Sequence, residues 1–168
     1  MFCTVLNDLK SPENAAMIVR SHVAFGGDRI VVIGNRPWRF KKRAQGFSRR
    51  LEKICTFVYL MDEDTFFRWC ETEDYVPIAV EIIDPPMPLP DFSFPERTAL
   101  VVGNEGTGLS PAFCSRCAHV VTIPQFGPVG SLNVAISCSI AMYELTRRRP
   151  MSRRILDHKY FVDESERP

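Results

Sequence analysis

The run Leu100-Val101-Val102-Gly103-Asn104-Glu105-Gly106-Thr107-Gly108-Leu109-Ser110 passes from an apolar, β-branched stretch through a glycine-rich turn into a helix start. Open α/β sheets bind ligands at strand-to-helix turns of this kind, where glycine lets backbone donors and acceptors approach a ligand closely. Two nucleotide-binding patterns can be tested on these residues. Gly103 and Gly108 have the spacing of a phosphate loop, but Leu109 stands where that motif needs a lysine, and Glu105 sets a carboxylate in the cradle. The pattern G-x-G-x-x-G is absent as well. Nucleoside triphosphate and dinucleotide chemistry are therefore disfavoured, while a plain structural turn stays open on these residues alone.

A second stretch, Ile123-Pro124-Gln125-Phe126-Gly127-Pro128-Val129-Gly130-Ser131-Leu132-Asn133-Val134, reads as a strand end, a Gly/Pro loop and the start of a helix. From Leu132 to Met142 the residues are apolar or small nearly all round, which predicts a helix buried on most sides. A core helix accounts for those residues. It does not account for Ser131 and Asn133 beside a glycine loop.

The elements that must position these segments alternate along the chain, which predicts an α/β domain with a mainly parallel sheet. Strands are expected at 3–6, 29–33, 56–60, 78–83, 98–102 and 119–123. The first helix is well marked: Ser11 is a natural N-cap, Pro12 suits the first turn, and Gly26-Gly27 closes it. Further helices are expected at about 49–53 and at 63–72, 110–117 and 132–148. Pro85, Pro86, Pro88, Pro90 and Pro95 make 84–95 a loop. Residues 1–150 read as one domain and 151–168 as a charged tail.

At 168 residues with 45% hydrophobic content, the chain can bury one sizeable core. No run approaches the roughly 18 apolar residues of a membrane span, and Met-Phe-Cys-Thr-Val-Leu lacks the marks of a signal peptide, so a cytoplasmic protein without a membrane partner is expected. The six cysteines sit mostly among apolar neighbours, as reduced buried thiols do. Cys114-x-x-Cys117 has no second pair or suitably placed histidine to complete a zinc site, so no metal is expected. The net charge of +1 hides an uneven distribution: between Arg36 and Lys53 lie eight cations and one acid, Glu52. Arg36-Pro-Trp-Arg-Phe-Lys-Lys-Arg interleaves cations with Trp38 and Phe40, which suits phosphate contact and stacking on unpaired bases. Arg36, Arg39, Lys41, Lys42 and Arg43 are the expected RNA contacts.

Three segments in order resemble the three motifs of the SpoU (TrmH) family within the SPOUT methyltransferases. They are Asn14-Ala15-Ala16-Met17-Ile18-Val19-Arg20 with Ala24-Phe25-Gly26, then 102–110, then Ile123-Pro124 through Ser131-Leu132-Asn133-Val134. The resemblance implies a parallel α/β sheet with helices on both faces and a deep C-terminal trefoil knot. It also implies methylation of a ribose 2′-hydroxyl in transfer or ribosomal RNA, with S-adenosylmethionine as the cofactor. The small members that methylate the wobble ribose of transfer RNA are similar in size, but the sequence departs from them around Arg36–Arg50. By the same resemblance, Val80, Gly103, Ile123, Ser131 and Leu132 hold the cofactor, largely through main-chain groups. Arg20 matches the family's catalytic arginine, surrounded by Asn14, Glu105, Ser131 and Asn133.

A guanidinium is a poor proton acceptor, so Arg20 is expected to fix a neighbouring RNA phosphate and stabilise the developing alkoxide, with the proton leaving through phosphate or water. The family builds its active site close to a subunit interface, which implies a homodimer. The competing reading is an RNA-binding or assembly protein that keeps the fold without turnover, against which Arg20, Glu105 and Asn133 occur together.

Overall fold

The computed structural model describes residues 1–34 and 40–147. In chain order the elements are β1 (Phe2–Asn7), α1 (Pro12–Ala24), β2 (Arg29–Ile33), α2 (Lys42–Ser48), β3 (Phe57–Leu60), α3 (Glu63–Glu73), β4 (Val76–Val80), β5 (Thr98–Val102), α4 (Pro111–Cys114), β6 (His119–Val121) and α5 (Val134–Thr146). Two 3-10 turns, Leu51–Lys53 and Leu89–Asp91, join α2 to β3 and β4 to β5. The strands form one sheet in the order β3-β2-β1-β5-β4-β6, with every pairing parallel. Strand order reverses beside β1, so the crevice at the carboxyl ends of β1 and β5 is a natural ligand site.

Strand alternation sends each side chain to one of two cores. Phe2 and Leu6 of β1, Ile30 and Val32 of β2, Ile78 of β4 and Leu100 of β5 meet Ala15, Ile18 and Val19 of α1 and Cys138, Ala141 and Met142 of α5. The opposite residues of the same strands, among them Cys3, Val5, Val31 and Val101, meet Phe66, Phe67 and Cys70 of α3 and Phe113 of α4. Helices therefore cover both faces, as expected. Burial on both sides is also why the strands read as unbroken apolar runs. All six cysteines are free, and burial pushes the Cys70 and Cys117 thiols up to about 12.

Local chemistry sets the ends of the helices. The Ser11 side chain accepts the Asn14 amide, Pro12 occupies the first turn of α1, and Gly26 at φ 71° turns the chain away. Asn133 caps α5, its side-chain oxygen accepting the amides of Ala135 and Ile136 at 2.9 and 3.4 Å. The helix expected from 132 thus begins at Val134. The strand expected at 78–83 occupies Val76–Val80, because the Glu81 carboxylate turns back to accept the amides of Ile82 and Leu109.

The largest correction concerns α2. The basic run folds as a helix over Lys42–Ser48, and the expected 49–53 helix is reduced to the 3-10 turn Leu51–Lys53. Ala44 and Ser48 are the buried positions of α2, and Arg49 and Arg50 end it in left-handed conformations at φ 54° and 62°. The expected 151–168 tail lies outside the described residues.

His22 is a buried member of α1, 2% exposed, with Nδ1 2.8 Å from Thr4 Oγ1 and its ring edge-on to Phe2. Burial lowers its pKa from 6.5 to about 4, with Asp28 pulling weakly the other way. The unfolded chain takes up this proton below 6.5, whereas the folded chain resists until about 4. Stability is therefore full above pH 6.5 and falls toward pH 4, by up to ~3 kcal/mol from this group. His22→Gln is expected to be less stable than wild type in urea unfolding at pH 7, with the gap narrowing as pH drops through that window. A gap independent of pH would contradict the assignment.

Candidate active site

The turn that follows β5 is organised from within. The Asn104 side-chain oxygen accepts the amides of Gly106 and Thr107 at 2.8 and 3.3 Å, and its carbonyl accepts the Gly108 amide at 2.9 Å. Its side-chain nitrogen donates 2.8 Å to the Asp8 carbonyl, tying the turn to the end of β1. Gly108 sits at φ 65°, and a Cβ there would come 2.4 Å from Glu81 Oε2. A Cβ on Gly103 would come 2.4 Å from the Gly108 carbonyl carbon. The clash at Gly103 is with backbone and admits only glycine, while at Gly108 the left-handed φ and the Glu81 carboxylate together favour it. Glu81 completes the fit from the tip of β4, accepting the Leu109 amide at 2.7 Å.

Glu105 reaches out of that turn to the start of α1. Its carboxylate accepts the amides of Lys10 and Ser11 at 3.0 and 2.9 Å and the Asn14 side-chain amide at 3.1 Å. Asn14 Oδ1 in turn accepts the Asn133 amide at 3.1 Å, while Asn133 caps α5. A single chain of hydrogen bonds thus joins α1, the 103–110 turn and α5. Burial alone would raise the Glu105 pKa, but the Lys10 and Ser11 amides and the Asn14 side chain outweigh it and hold the carboxyl below its usual range. An anion at this place also suits the amino end of α1.

These segments enclose a cleft of about 270 Å³ at the carboxyl ends of β4, β5 and β6. Val80, Gly103, Ile123, Ser131 and Leu132, the five residues expected at the cofactor, all line it. So do Glu81, Glu105 and Gln125, and among the described residues no lysine, arginine or histidine does. A mixed lining of aliphatic side chains, polar groups and two carboxylates suits an uncharged ring and a cationic group. It does not suit a polyphosphate.

The sequence model of the SpoU rRNA Methylase family matches residues 1–143. The chain belongs to that family. It is 26% identical over 145 residues to the 23S rRNA (guanosine-2'-O-)-methyltransferase RlmB of Acinetobacter baylyi, covering 86% of this chain and 58% of that protein. It is 27% identical over 143 residues to the 23S rRNA (uridine(2479)-2'-O)-methyltransferase of Streptomyces viridochromogenes, covering 83% of this chain and 50% of that one. The structure of the SpoU methyltransferase AviRb from Streptomyces viridochromogenes in complex with AdoMet superimposes with a TM-score of 0.78 at 26% identity, over 88% of this chain and 57% of that one. The chain therefore spans between a half and three fifths of these relatives.

For this SpoU family member, the three motifs meet as their order suggested, with one exception. Asn14, Glu105 and Asn133 are hydrogen-bonded together, and Ser131 stands at the exposed rim of the cleft. Arg20 is exposed, does not line the cleft, and has no hydrogen bond or ion pair with a described residue. Six residues beyond Asn14, it leaves α1 roughly 120° round the helix, on the stripe of Glu13. Lys41, Lys42 and Arg43 are exposed at the head of α2, and Arg43 Nε lies 3.4 Å from Glu13. Arg36 and Arg39 lie outside the described residues. Among the described residues no three His, Cys, Asp or Glu side chains are placed to hold a metal ion.

Sequence reasoning passed over Asn104. Its position ahead of Gly-x-Gly was a usable signal, because asparagine closes turns onto its own downstream amides. Glu105→Ala is expected to lower stability by about 1–3 kcal/mol, since the Lys10 and Ser11 amides and the Asn14 side chain lose their acceptor. Urea unfolding checks this, and a loss within experimental error would show that water replaces the carboxylate.

Proposed function

We propose that this chain transfers a methyl group from S-adenosylmethionine to a ribose 2′-hydroxyl of RNA. The observation that carries the reading is the cleft, in which the five expected cofactor residues converge and which the Glu105–Asn14–Asn133 chain frames. The activities named for the RlmB and uridine-2'-O relatives support the reaction, and the AdoMet complex of AviRb supports the cofactor. The substrate is transfer or ribosomal RNA. A cytoplasmic location belongs to the same proposal, and no helix among the described residues is long and apolar enough to cross a membrane.

S-adenosylmethionine, when bound, supplies an activated methyl on a sulfonium. Gly103, Ile123, Ser131 and Leu132 would hold it, with Val80 as an apolar wall and the Glu81 and Glu105 carboxylates favouring its positive charge. The fit rests on the lining itself, in which Val80, Ile123, Leu132 and Val134 stand together with polar groups and the Glu81 and Glu105 carboxylates. Glu105 does not serve as the base, since its carboxylate is filled by N–H donors and its pKa is lowered. Arg20 fixes a phosphate beside the target ribose and stabilises the alkoxide, and the proton passes to phosphate or water. Lys41, Lys42 and Arg43 bind neighbouring phosphates, with Arg36 and Arg39 completing that group.

Arg20 faces away from its own cleft, so this role calls for a second copy of the chain. The homodimer is supported by α5, which exposes Ile136, Ile140 and Tyr143 along one stripe at 50, 37 and 57% while the rest of the helix is largely buried. The C-terminal knot belongs to the same reading. Its support is the segment after β6, where Thr122 exchanges backbone bonds of 2.8 Å with Met87 and Leu89 before the chain returns as α5.

Calorimetric titration should detect S-adenosylmethionine and S-adenosylhomocysteine binding, and tritium-methyl transfer to bulk small RNA should follow. Arg20→Ala is expected to bind the cofactor as wild type does while transfer falls by at least ~100-fold. Binding without transfer would favour the non-catalytic RNA-binding protein, and no binding of either ligand would sink the reading. Ile140→Asp combined with Tyr143→Asp is expected to halve the mass measured by light scattering and to stop transfer. A wild-type monomer with full transfer would contradict the dimer.

A further inference from the structure

Cations of the described residues divide into two groups. Away from one flank each has a partner: Arg29 pairs with Asp28 and Glu73, Arg97 donates to the carbonyls of Glu73 and Asp74, Arg116 pairs with Asp64, and Arg147 pairs with Glu144. Lys10 pairs with Asp8, and Arg68 donates to Thr65. The side chains of Arg20, Lys41, Lys42, Arg49, Arg50 and Lys53 have no hydrogen bond or ion pair with a described residue, and all six residues are exposed. Every one of them lies on α1, α2 or the loop and 3-10 turn that follow α2.

Three features separate this flank from an ordinary solvated run. The acid between Lys41 and Lys53, Glu52, is half-buried, its carboxylate accepts the Ser48 hydroxyl, and it forms no ion pair with any of these cations. Arg49 and Arg50 occupy successive left-handed conformations, each disfavoured by roughly 1–2 kcal/mol for a residue with a Cβ. The Arg50 amide is held by Gln45 O and Ser48 Oγ at 3.3 and 3.2 Å, so the backbone is fixed while both guanidinium groups stay uncommitted. Phe47 and Ile54 are exposed beside them.

The direction of the flank is set by topology. β2 and β3 are parallel, so their connection runs from the cleft end of the sheet to the opposite end. Lys41 and Lys42 stand at the head of α2, and its seven residues carry the chain about 10 Å further along before Arg49 and Arg50.

We propose that this flank is an extended RNA-docking surface on which Arg49, Arg50 and Lys53 bind phosphates of the RNA body, remote from the methylated ribose. The inference rests on the proposed RNA substrate and adds that recognition extends beyond the target nucleotide. A polyanion is the partner that fits, because the flank carries six cations without an ionic partner against two acids, Glu13, which pairs with Arg43, and Glu52.

The test uses the full chain with Arg49→Asn, Arg50→Asn and Lys53→Gln together. Asparagine tolerates the left-handed conformation, so the backbone is kept while the charge is removed. With unfractionated transfer RNA as the probe, affinity near 0.1 M salt is expected to fall roughly 10- to 100-fold, and the slope of log affinity against log salt to lessen by about 2. S-adenosylhomocysteine titration should be unchanged, and a hexanucleotide should bind wild type and variant alike. Unchanged transfer RNA affinity and slope in a protein that still binds the cofactor would overturn the flank and leave the methyltransferase reading standing. Loss of binding only to phosphatidylserine vesicles would overturn it in favour of a membrane surface. Failure of wild type to bind the cofactor would strike the proposed reaction instead.

Discussion

Glu105 joins parts of the chain that lie more than ninety residues apart. Its carboxylate gathers the amides of Lys10 and Ser11 and the side chain of Asn14, and Asn14 passes the contact on to Asn133 at the head of α5. The three bonds to the carboxylate are charge-assisted, so they are stronger than neutral ones. They fix where α1 begins relative to the turn after β5, and where α5 begins relative to both. The cleft exists because these three beginnings are held together. Gly103, Gly108 and Glu81 then set how closely the turn packs on the tip of β4.

This arrangement separates two tasks that the motifs appear to merge. Glu105, Asn14 and Asn133 are bonded to one another and to the starts of α1 and α5, so they build and orient the site. The groups left free are main-chain atoms along the cleft and cations on the outer face. The cleft carries two carboxylates and, among the described residues, no cation, whereas the uncommitted arginines and lysines lie on and beside α1 and α2. The proposed cofactor and the proposed RNA, of opposite charge, would therefore meet different surfaces.

Much of the fold was legible in the sequence because its signals are local. The strands carry β-branched runs buried on both faces, and α1 announces itself through Ser11, Pro12 and Gly26. α2 was hidden because its buried positions, Ala44 and Ser48, are small residues inside a dense charge run, and the Arg49-Arg50 turn carries none of the usual turn residues. The five residues expected at the cofactor were named through family resemblance, since main-chain recognition leaves little mark on side-chain identity. That Asn14, Glu105 and Asn133 share one site came from the resemblance, whereas the Lys10 and Ser11 amides as partners of Glu105 left no mark in the sequence, because they lie across a crossover connection rather than within one element. The outward direction of Arg20 follows from helix phase once α1 is fixed by its caps, and the motif had obscured it.

The central claim is that the three joined segments form one cofactor cleft, and amide-resolved NMR titration with S-adenosylhomocysteine tests it most directly. The account predicts saturable shifts at Gly103, Ile123, Ser131 and Leu132, with the amides of α3 and α4 on the other face of the sheet unmoved. Shifts absent from those four residues, or gathered on the α3 and α4 face, would contradict it.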